Sequence, residues 1–192
     1  MGREICGVRT RSEGAFVIFR QTRLKGAYRI ELEKFEDDRG FFARTFCQKE
    51  FSAMGLNSAF VQCNTSVSPK KGVLRGMHYQ AAPHEEAKLV RCTRGAIWDV
   101  IIDLREGSET FKQWVSEELT DENRKMLYIP EGLAHGFLTL SNDTEVIYQM
   151  SEFHMPEYAR GVRWDDPAFG ILWPEKVAII SEKDRGYPDF GR

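Results

Sequence analysis

The chain has 192 residues, 42% of them hydrophobic, and a formal net charge of −2 at pH 7. This length fits a single domain with a sizeable core, and the nearly balanced charge argues against nucleic acid as a partner. No apolar run approaches the length of a membrane span and no leader has the layout of a signal peptide, so we expect a cytoplasmic protein that does not engage a membrane.

The N-terminal part of the chain predicts an extension, two strands and a helix. Residues 1–25 mix arginines with short apolar pieces and are expected to form an N-terminal extension or arm, in which residues 15–19 could add a strand to another element. Residues 28–35 alternate apolar and polar side chains, which is typical of a half-buried strand. A turn over residues 37–40 leads into a strand over residues 41–46, and residues 48–54 are predicted to form a helix.

From residue 59 onward, short predicted strands follow one another with turn signals between them. They cover residues 60–67, 72–80, 88–92, 97–104, 111–119, 126–129, 133–140 and 145–151. In the strand over residues 97–104, side-chain alternation places Trp98, Val100, Ile102 and Leu104 on one face, which we expect to be buried. Asp99 and Asp103 lie on the other face. Many short strands joined by turns predict an all-β sandwich or barrel, with residues 26–192 as one domain that becomes loop-rich near its end.

One predicted strand, residues 72–80, carries an arginine and a histidine three positions apart. A regular strand would send Arg75 and His78 to opposite faces, because side chains alternate. Gly76 lies between them, where a β-bulge could turn both side chains toward one cavity. The alternative for these residues is a strand with a surface arginine and a hydrogen-bonded core histidine.

The histidines and cysteines do not form a metal-binding pattern. None of the four histidines, at positions 78, 84, 135 and 154, forms the His-x-His pair that many cupin-type barrels use. The four cysteines contain no C-x-x-C pair, so we expect no zinc site, no disulfide framework and no cofactor. Each of the other polar candidates for a functional site also has a structural explanation when it is taken alone. His135 could form a hydrogen bond with the backbone, Tyr148 could be a core tyrosine, and Lys88 could be solvated at a strand edge.

Several segments taken together are far more specific than any one residue. In chain order they are Phe35-x-Asp37-x-Arg39-Gly40-Phe41-Phe42, Gln62-x-Asn64-x-Ser66, Gly72-Val73-Leu74-Arg75-Gly76-Met77-His78-Tyr79-Gln80, Lys88-Leu89-Val90, Ile129-Pro130-Glu131-Gly132-Leu133-Ala134-His135-Gly136-Phe137, Tyr148, Trp164-Asp165-Asp166-Pro167 and Ser181-x-Lys183-Asp184. This series closely resembles the dTDP-4-dehydrorhamnose 3,5-epimerase family, over about residues 26 to 187.

The resemblance implies a jelly-roll barrel of the cupin type, a homodimer, and catalysis without a metal. His78 matches the family's general base, Asp184 the carboxylate that supports it, Tyr148 the proton donor on the opposite face of the sugar ring, and Lys88 the residue near the C4 oxygen. Six further residues match family positions that bind the nucleotide-diphosphate sugar, some of them across the dimer. They are Arg39, Gln62, Asn64, Arg75, His135 and Lys183.

The residue types fit that chemistry. A 4-keto group acidifies the hydrogens on C3 and C5, and inverting a carbon requires proton removal on one face and proton return on the other. Histidine has an ordinary pKa near 6.5 and suits a base at neutral pH, while tyrosine, near 10, suits an acid. A lysine cation would stabilise the oxyanion that develops on the C4 oxygen.

The chain also departs from the family pattern around the expected substrate. Family members commonly carry Asp at Cys63, Glu at Arg44, an aromatic pair where Phe153-His154 stands, and Glu where Ala159 aligns. These differences leave two alternatives to a 3,5-epimerase. One is an epimerase of only C3 or only C5 of another nucleotide 4-keto-6-deoxysugar, and the other is a non-catalytic barrel that binds sugar nucleotides.

Overall fold

The computed structural model describes residues 16–191, which form fourteen β-strands and two short helices. The strands are β1 Val17–Gln21, β2 Tyr28–Leu32, β3 Phe35–Asp37, β4 Gly40–Phe42, β5 Gln62–Ser68, β6 Val73–Gln80, β7 Lys88–Arg94, β8 Ala96–Asp103, β9 Trp114–Thr120, β10 Met126–Ile129, β11 Leu133–Thr139, β12 Thr144–Met150, β13 Ala159–Gly161 and β14 Ile179–Ile180. The helices are α1 Gln48–Ala53 and α2 Glu182–Arg185. No described helix has the length and hydropathy needed to span a membrane.

Two larger sheets form the barrel and a small hairpin stands apart from them. The first sheet has the strand order β1-β2-β10-β7-β12-β5, and the second has the order β13-β6-β11-β8-β9 with β14 paired to β6. All of these pairs are antiparallel except β14 with β6, which is parallel. β3 and β4 pair only with each other. The predicted all-β, cupin-like jelly roll is therefore confirmed.

The core lies between the two large sheets and continues on their outer faces. Val90 and Leu127 of the first sheet meet Ile101 and Phe137 of the second in the central cluster. Helix α1 covers the outer face of the first sheet through Phe51, which is fully buried. Each sheet thus has apolar side chains on both faces, which explains why the strand sequences alternate less than those of a solvent-facing sheet.

Strand β8 shows where alternation predicted the fold well and where it did not. Val100 and Ile102 are fully buried as expected, while Trp98 and Leu104 are partly buried. Asp99 and Asp103, on the opposite face, are also completely buried. The second face therefore points into the barrel, where each carboxylate has dedicated hydrogen-bond partners.

Two segments near the N-terminus differ from the sequence expectation. The strand predicted for residues 41–46 ends at Phe42, because Phe46 packs on the α1 residue Phe51, with ring centroids 5.0 Å apart. The sequence pattern assigns residues 16–25 to an N-terminal extension. They contain β1, which adds to β2 at the edge of the first sheet as expected for residues 15–19, and Leu24 in the turn after it is fully buried. Residues 1–15 of that predicted extension lie outside the described residues.

Candidate active site

A cavity of about 850 Å³ opens between the two large sheets. Its volume is in the range typical of small-molecule sites. Nine of the ten predicted site residues line it, and these are Gln62, Asn64, Arg75, His78, Lys88, His135, Tyr148, Lys183 and Asp184. The tenth, Arg39, lies in the β3–β4 hairpin with 89% of its side chain exposed, where it pairs with Asp37. Residues that are up to 122 positions apart in sequence thus meet at one surface.

A β-bulge brings Arg75 and His78 to the same cavity, as their sequence predicted. The register of β6 against β11 pairs His78 with His135 and Arg75 with Phe137, so two residues of β6 oppose one of β11. Gly76 has a φ of +139°, and a Cβ built there would overlap the backbone of Gly136. Glycine is therefore required at this position both for its backbone angle and for the close approach of the two strands.

His78 and Asp184 form a hydrogen-bonded dyad, with 2.7 Å between Nε2 of the histidine and Oδ1 of the carboxylate. The Gly76 N–H donates to the other carboxylate oxygen at 3.3 Å. Burial acts to raise the pKa of Asp184, but hydrogen bonds with His78, Gly76 and Ser181 outweigh it and hold that pKa below its ordinary value. Asp184 is thus kept ionised, while 42% of the His78 side chain remains exposed to the cavity.

Lys88 begins β7 and is buried in the cavity wall rather than solvated at a strand edge. Its Nζ lies 2.8 Å from Oε1 of Glu86, and only 8% and 3% of the two side chains are exposed. The same Nζ donates to the backbone carbonyl oxygen of His78 at 3.3 Å. The lysine cation is therefore tied directly to the strand that carries the imidazole.

Tyr148 faces the dyad from the opposite wall. It lies on β12 of the first sheet, whereas His78 lies on β6 of the second. Burial raises the pKa of Tyr148, and the nearby Glu86 charge adds to this, while Arg75 and a hydrogen bond with Asn64 act against it. The net result is a phenol that keeps its proton through neutral pH.

A second histidine–carboxylate pair stands deeper in the barrel. Nε2 of His135 lies 2.6 Å from Oδ1 of Asp99, and both residues are buried. The structural alternative for this histidine was a backbone partner, and its partner is instead a carboxylate of β8, while the residue also lines the cavity. Asp99 was not singled out, because alternation alone placed it only on the polar face of its strand.

The remaining polar lining lies around β5 and the loop after β12. Gln62 donates to Oδ1 of Asn64 at 3.2 Å, and the backbone N–H of His154 donates to Oε1 of Gln62 at 3.1 Å. Ala159 also lines the cavity. Two of the family departures, His154 and Ala159, therefore contact the space in which a ligand would sit.

The other two departures lie elsewhere. Arg44 pairs with Glu50 of α1 at 2.6 Å, and Cys63 is exposed on β5. Neither of them lines the cavity.

Among the lining residues that sequence reasoning did not assign to the site are Glu86 and Tyr187. Glu86 is the buried partner of Lys88, and its position two residues before that lysine is the signal that could have found it. Tyr187 places its ring 6.2 Å from that of His78 in an edge contact and packs directly on Gly161. Nothing in the local sequence pattern indicates the position of Tyr187, because it depends on how the C-terminal segment folds back.

Among residues 16–191, no group of three or more His, Cys, Asp or Glu side chains has an arrangement that could hold a metal ion. The polar groups described above instead form pairs: His78 with Asp184, His135 with Asp99, and Lys88 with Glu86. Such pairs fit proton transfer and charge stabilisation at a bound organic substrate.

Comparison with known proteins identifies relatives of this chain. A family model described as dTDP-4-dehydrorhamnose 3,5-epimerase matches residues 21–191. The dTDP-4-dehydrorhamnose 3,5-epimerase of Methanothermobacter thermautotrophicus is 48% identical, over 88% of this chain and 92% of that protein.

Solved structures agree with the sequence match. The crystal structure of dTDP-4-dehydrorhamnose 3,5-epimerase from Elizabethkingia anophelis has a TM-score of 0.88 and 43% identity, covering 91% of this chain and 96% of that one. The enzyme of Bacillus anthracis, solved with TDP and PPi bound, has a TM-score of 0.87 and 40% identity, covering 91% of this chain and 99% of that one. This chain therefore belongs to the dTDP-4-dehydrorhamnose 3,5-epimerase family.

Proposed function

We propose that this chain inverts C3 and C5 of dTDP-4-dehydro-6-deoxy-D-glucose to give dTDP-4-dehydro-L-rhamnose, with His78 as the base and Tyr148 as the acid. One observation carries the proposal. The imidazole of His78, held by Asp184 at 2.7 Å, and the phenol of Tyr148 stand on opposite walls of one cavity. Inversion needs a base on one face of the sugar ring and an acid on the other, whereas binding alone needs neither.

The first half of the reaction is proton abstraction. His78 takes the hydrogen from the carbon next to the C4 ketone, and Asp184 orients the imidazole and stabilises the imidazolium that forms. The electron pair moves onto the C4 oxygen as an enolate. The Lys88 ammonium, with only 8% of its side chain exposed, stabilises that oxyanion, and at such a buried position the interaction is stronger than in bulk water.

The second half is proton return from the other face. Tyr148 donates its phenolic proton to the carbanion carbon, which inverts the centre, and the enolate reverts to the ketone. Burial raises the pKa of Tyr148, so the group is in its acid form at neutral pH. Between cycles the His78 imidazolium releases its proton to solvent and the Tyr148 phenolate takes one up, which restores the base and the acid. Two such cycles, one at each carbon, convert the substrate without any net change in its atoms.

The remaining lining residues suit binding of the nucleotide diphosphate. Arg75 and Lys183 offer two cations for the diphosphate, and Gln62, Asn64 and His135 offer hydrogen-bonding groups. Guanidinium groups suit a diphosphate because they bond two oxygens at once. The departures at His154 and Ala159 change the shape of this part of the cavity and leave the acid–base groups intact.

We further propose a cytoplasmic homodimer in which the β3–β4 hairpin reaches the neighbouring cavity. The hairpin exposes Phe35, Phe41 and Phe42 by 50%, 44% and 70%. Clustered exposed aromatic side chains mark interaction surfaces. Arg39 lies at the turn of this hairpin, outside the cavity of its own chain, so a role in binding requires a second copy.

The test is hydrogen exchange in heavy water. The protein is incubated with dTDP-4-dehydro-6-deoxy-D-glucose, and deuterium at C3 and C5 is read by NMR together with the configuration of the product. We expect deuterium at both carbons. Deuterium at one carbon would identify a single-site epimerase, and none at either, with nucleotide binding shown by calorimetry, would leave only a binding protein or another sugar.

A further inference from the structure

Glu86 and Lys88 form an ion pair that is almost wholly removed from water. Their Oε1 and Nζ atoms are 2.8 Å apart, and both residues line the cavity. Stability alone does not explain such a pair, since a well-packed apolar pair of similar size is often equally stable or more so. A buried charge that lines a cavity therefore points to a role there.

The carboxylate of Glu86 is also incompletely hydrogen-bonded. Its second oxygen, Oε2, is buried and has no hydrogen-bond partner among the described residues. A buried acceptor without a partner is unfavourable, and most buried polar side-chain atoms in proteins avoid that state. A glutamine could also face the Lys88 ammonium with its amide oxygen and would bury no negative charge, so the charge itself is the property to be explained.

The hydrogen bonds of Lys88 indicate what the charge does. An ammonium group has three N–H donors. Within residues 16–191, two acceptors are in reach of Nζ: Oε1 of Glu86 and the carbonyl oxygen of His78. The ion pair and the hydrogen bond hold Nζ at the cavity wall. Because an ammonium group has three N–H donors, one remains for the oxygen of a ligand held between His78 and Tyr148.

We propose that Glu86 is a positioning residue of the epimerisation: it holds the Lys88 ammonium at the point where the C4 oxygen of the substrate becomes negative. This inference rests on the function proposed above. Glu86 acts through Lys88, which it aligns before the substrate binds, so no reorganisation is needed when the enolate forms. Its charge also bears on Tyr148, where it favours the protonated phenol.

The test compares Glu86→Gln with Glu85→Gln. Glu85 is the adjacent residue with the same side chain, but it is exposed and lies outside the cavity lining, so its variant should exchange as fast as the parent protein. For Glu86→Gln we expect the rate of deuterium incorporation at C3 and C5 to fall roughly ten- to hundredfold with little change in KM. The melting temperature of each variant reports on folding.

A double-mutant cycle separates positioning from a merely structural role. If Glu86 acts through Lys88, then Glu86→Gln should cause little further loss of exchange in a Lys88→Met background. Equal losses in both backgrounds, or a Glu86→Gln protein that exchanges as fast as Glu85→Gln, would overturn the proposal. Failure of the parent protein to exchange either hydrogen would instead reject the proposed function, and the role of Glu86 with it.

The pH profile is an independent readout. Removing the Glu86 charge removes one of the causes that raise the pKa of Tyr148, so tyrosinate should form at a lower pH in Glu86→Gln. The alkaline fall in kcat should therefore begin at a lower pH than in the parent protein. An unchanged alkaline limb would overturn the part of the inference that gives the Glu86 charge an effect on Tyr148.

Discussion

His78 and Asp184 are separated by 106 positions in the chain, yet their side chains are 2.7 Å apart. The contact depends on β14, which pairs in parallel with β6 and aligns Ile180 with Leu74. Helix α2 follows β14 directly, and its N-cap Ser181 accepts a hydrogen bond from the backbone N–H of Asp184 at 3.0 Å. The loop-rich end of the chain thus lines the candidate active site.

The first prediction concerns this dyad. Asp184→Asn keeps the shape of the side chain but removes the charge that stabilises the imidazolium and selects its tautomer, so we expect kcat to fall by about 10²- to 10⁴-fold. Steady-state kinetics of epimerisation measure the effect. Glu182→Gln, on the same helix but exposed, is the control and should retain parental kcat. A fully active Asp184→Asn protein would remove Asp184 from the mechanism.

The second prediction concerns the bulge. Gly76→Ala forces a side chain into a φ of +139° and into the backbone of Gly136, so we expect a loss of stability of about 1–3 kcal/mol and a larger loss of activity. Activity should suffer more because the bulge directs both Arg75 and His78. Gly107→Ala is the control, since nothing lies within 4 Å of a Cβ there. Urea unfolding and kinetics of both variants test this, and equal behaviour would contradict it.

The bulge also illustrates how much of the site the sequence could predict. Gly76 between a cation and an imidazole indicated a local break in alternation, and the register of β6 against β11 confirms it. Most of the longer strands and the buried centre of β8 followed from periodicity in the same way. Such features depend on residues that are neighbours in sequence, which a pattern records directly.

Features that depend on distant contacts could not be predicted in this way. The buried carboxylate Asp99 looks like an ordinary polar strand position until β11 supplies its partner, His135. The spacing of Glu86 from Lys88 is consistent with an ion pair but does not predict its burial, since only the barrel buries Glu86 and leaves the adjacent Glu85 exposed. Family resemblance supplied His78 and Asp184 as a pair, which local physics alone could not have joined.

The third prediction separates the acid from the base. Tyr148→Phe keeps the ring but removes the phenolic proton, while the His78–Asp184 dyad on the opposite sheet is untouched. We therefore expect hydrogen exchange to persist and inversion to slow by about 10²- to 10⁴-fold, as for loss of a general acid. NMR in heavy water reads both quantities in one sample. Equal rates of inversion in Tyr148→Phe and the parent protein would require another proton donor.

The fourth prediction concerns stability and pH at Asp103. Burial acts to raise the pKa of this carboxyl, but hydrogen bonds from Arg105, Ser108 and Thr110 outweigh it and hold the pKa well below its ordinary value. The stabilisation is therefore complete above the unfolded-state pKa of about 4 and is lost as the pH falls toward the folded-state pKa.

Asp103→Asn should accordingly lower the free energy of unfolding by about 2–4 kcal/mol at pH 7. The difference from the parent protein should stay constant between about pH 5 and 8 and shrink below about pH 4. Urea unfolding across this range measures it. Asp165→Asn, which removes a half-exposed partner of Arg163, should change stability by no more than about 1 kcal/mol. A difference that grows at low pH would show that the sign is wrong.

The fifth prediction tests whether the β3–β4 hairpin completes a neighbouring active site. Arg39 is 89% exposed and lies outside the cavity that holds His78. In a two-fold dimer, each hairpin can contribute only to the cavity of the other subunit. Each site would then take Arg39 from one chain and His78 from the other, so Arg39→Ala and His78→Ala would damage different chains of the same site. We expect each variant alone to epimerise poorly, Arg39→Ala through weaker substrate binding and His78→Ala through loss of the base.

Coexpressed or refolded together, the two variants should regain activity. A dimer with one chain of each variant carries both substitutions in one site and neither in the other. Random pairing makes about half of the dimers mixed, so about a quarter of all sites should be intact. Activity of the mixture at subsaturating substrate should approach that fraction of the parental value. An intact site can form in the mixture only if Arg39 of one subunit reaches the cavity of the other. A mixture that is no more active than either variant alone would therefore show that Arg39 does not contribute to a neighbouring cavity.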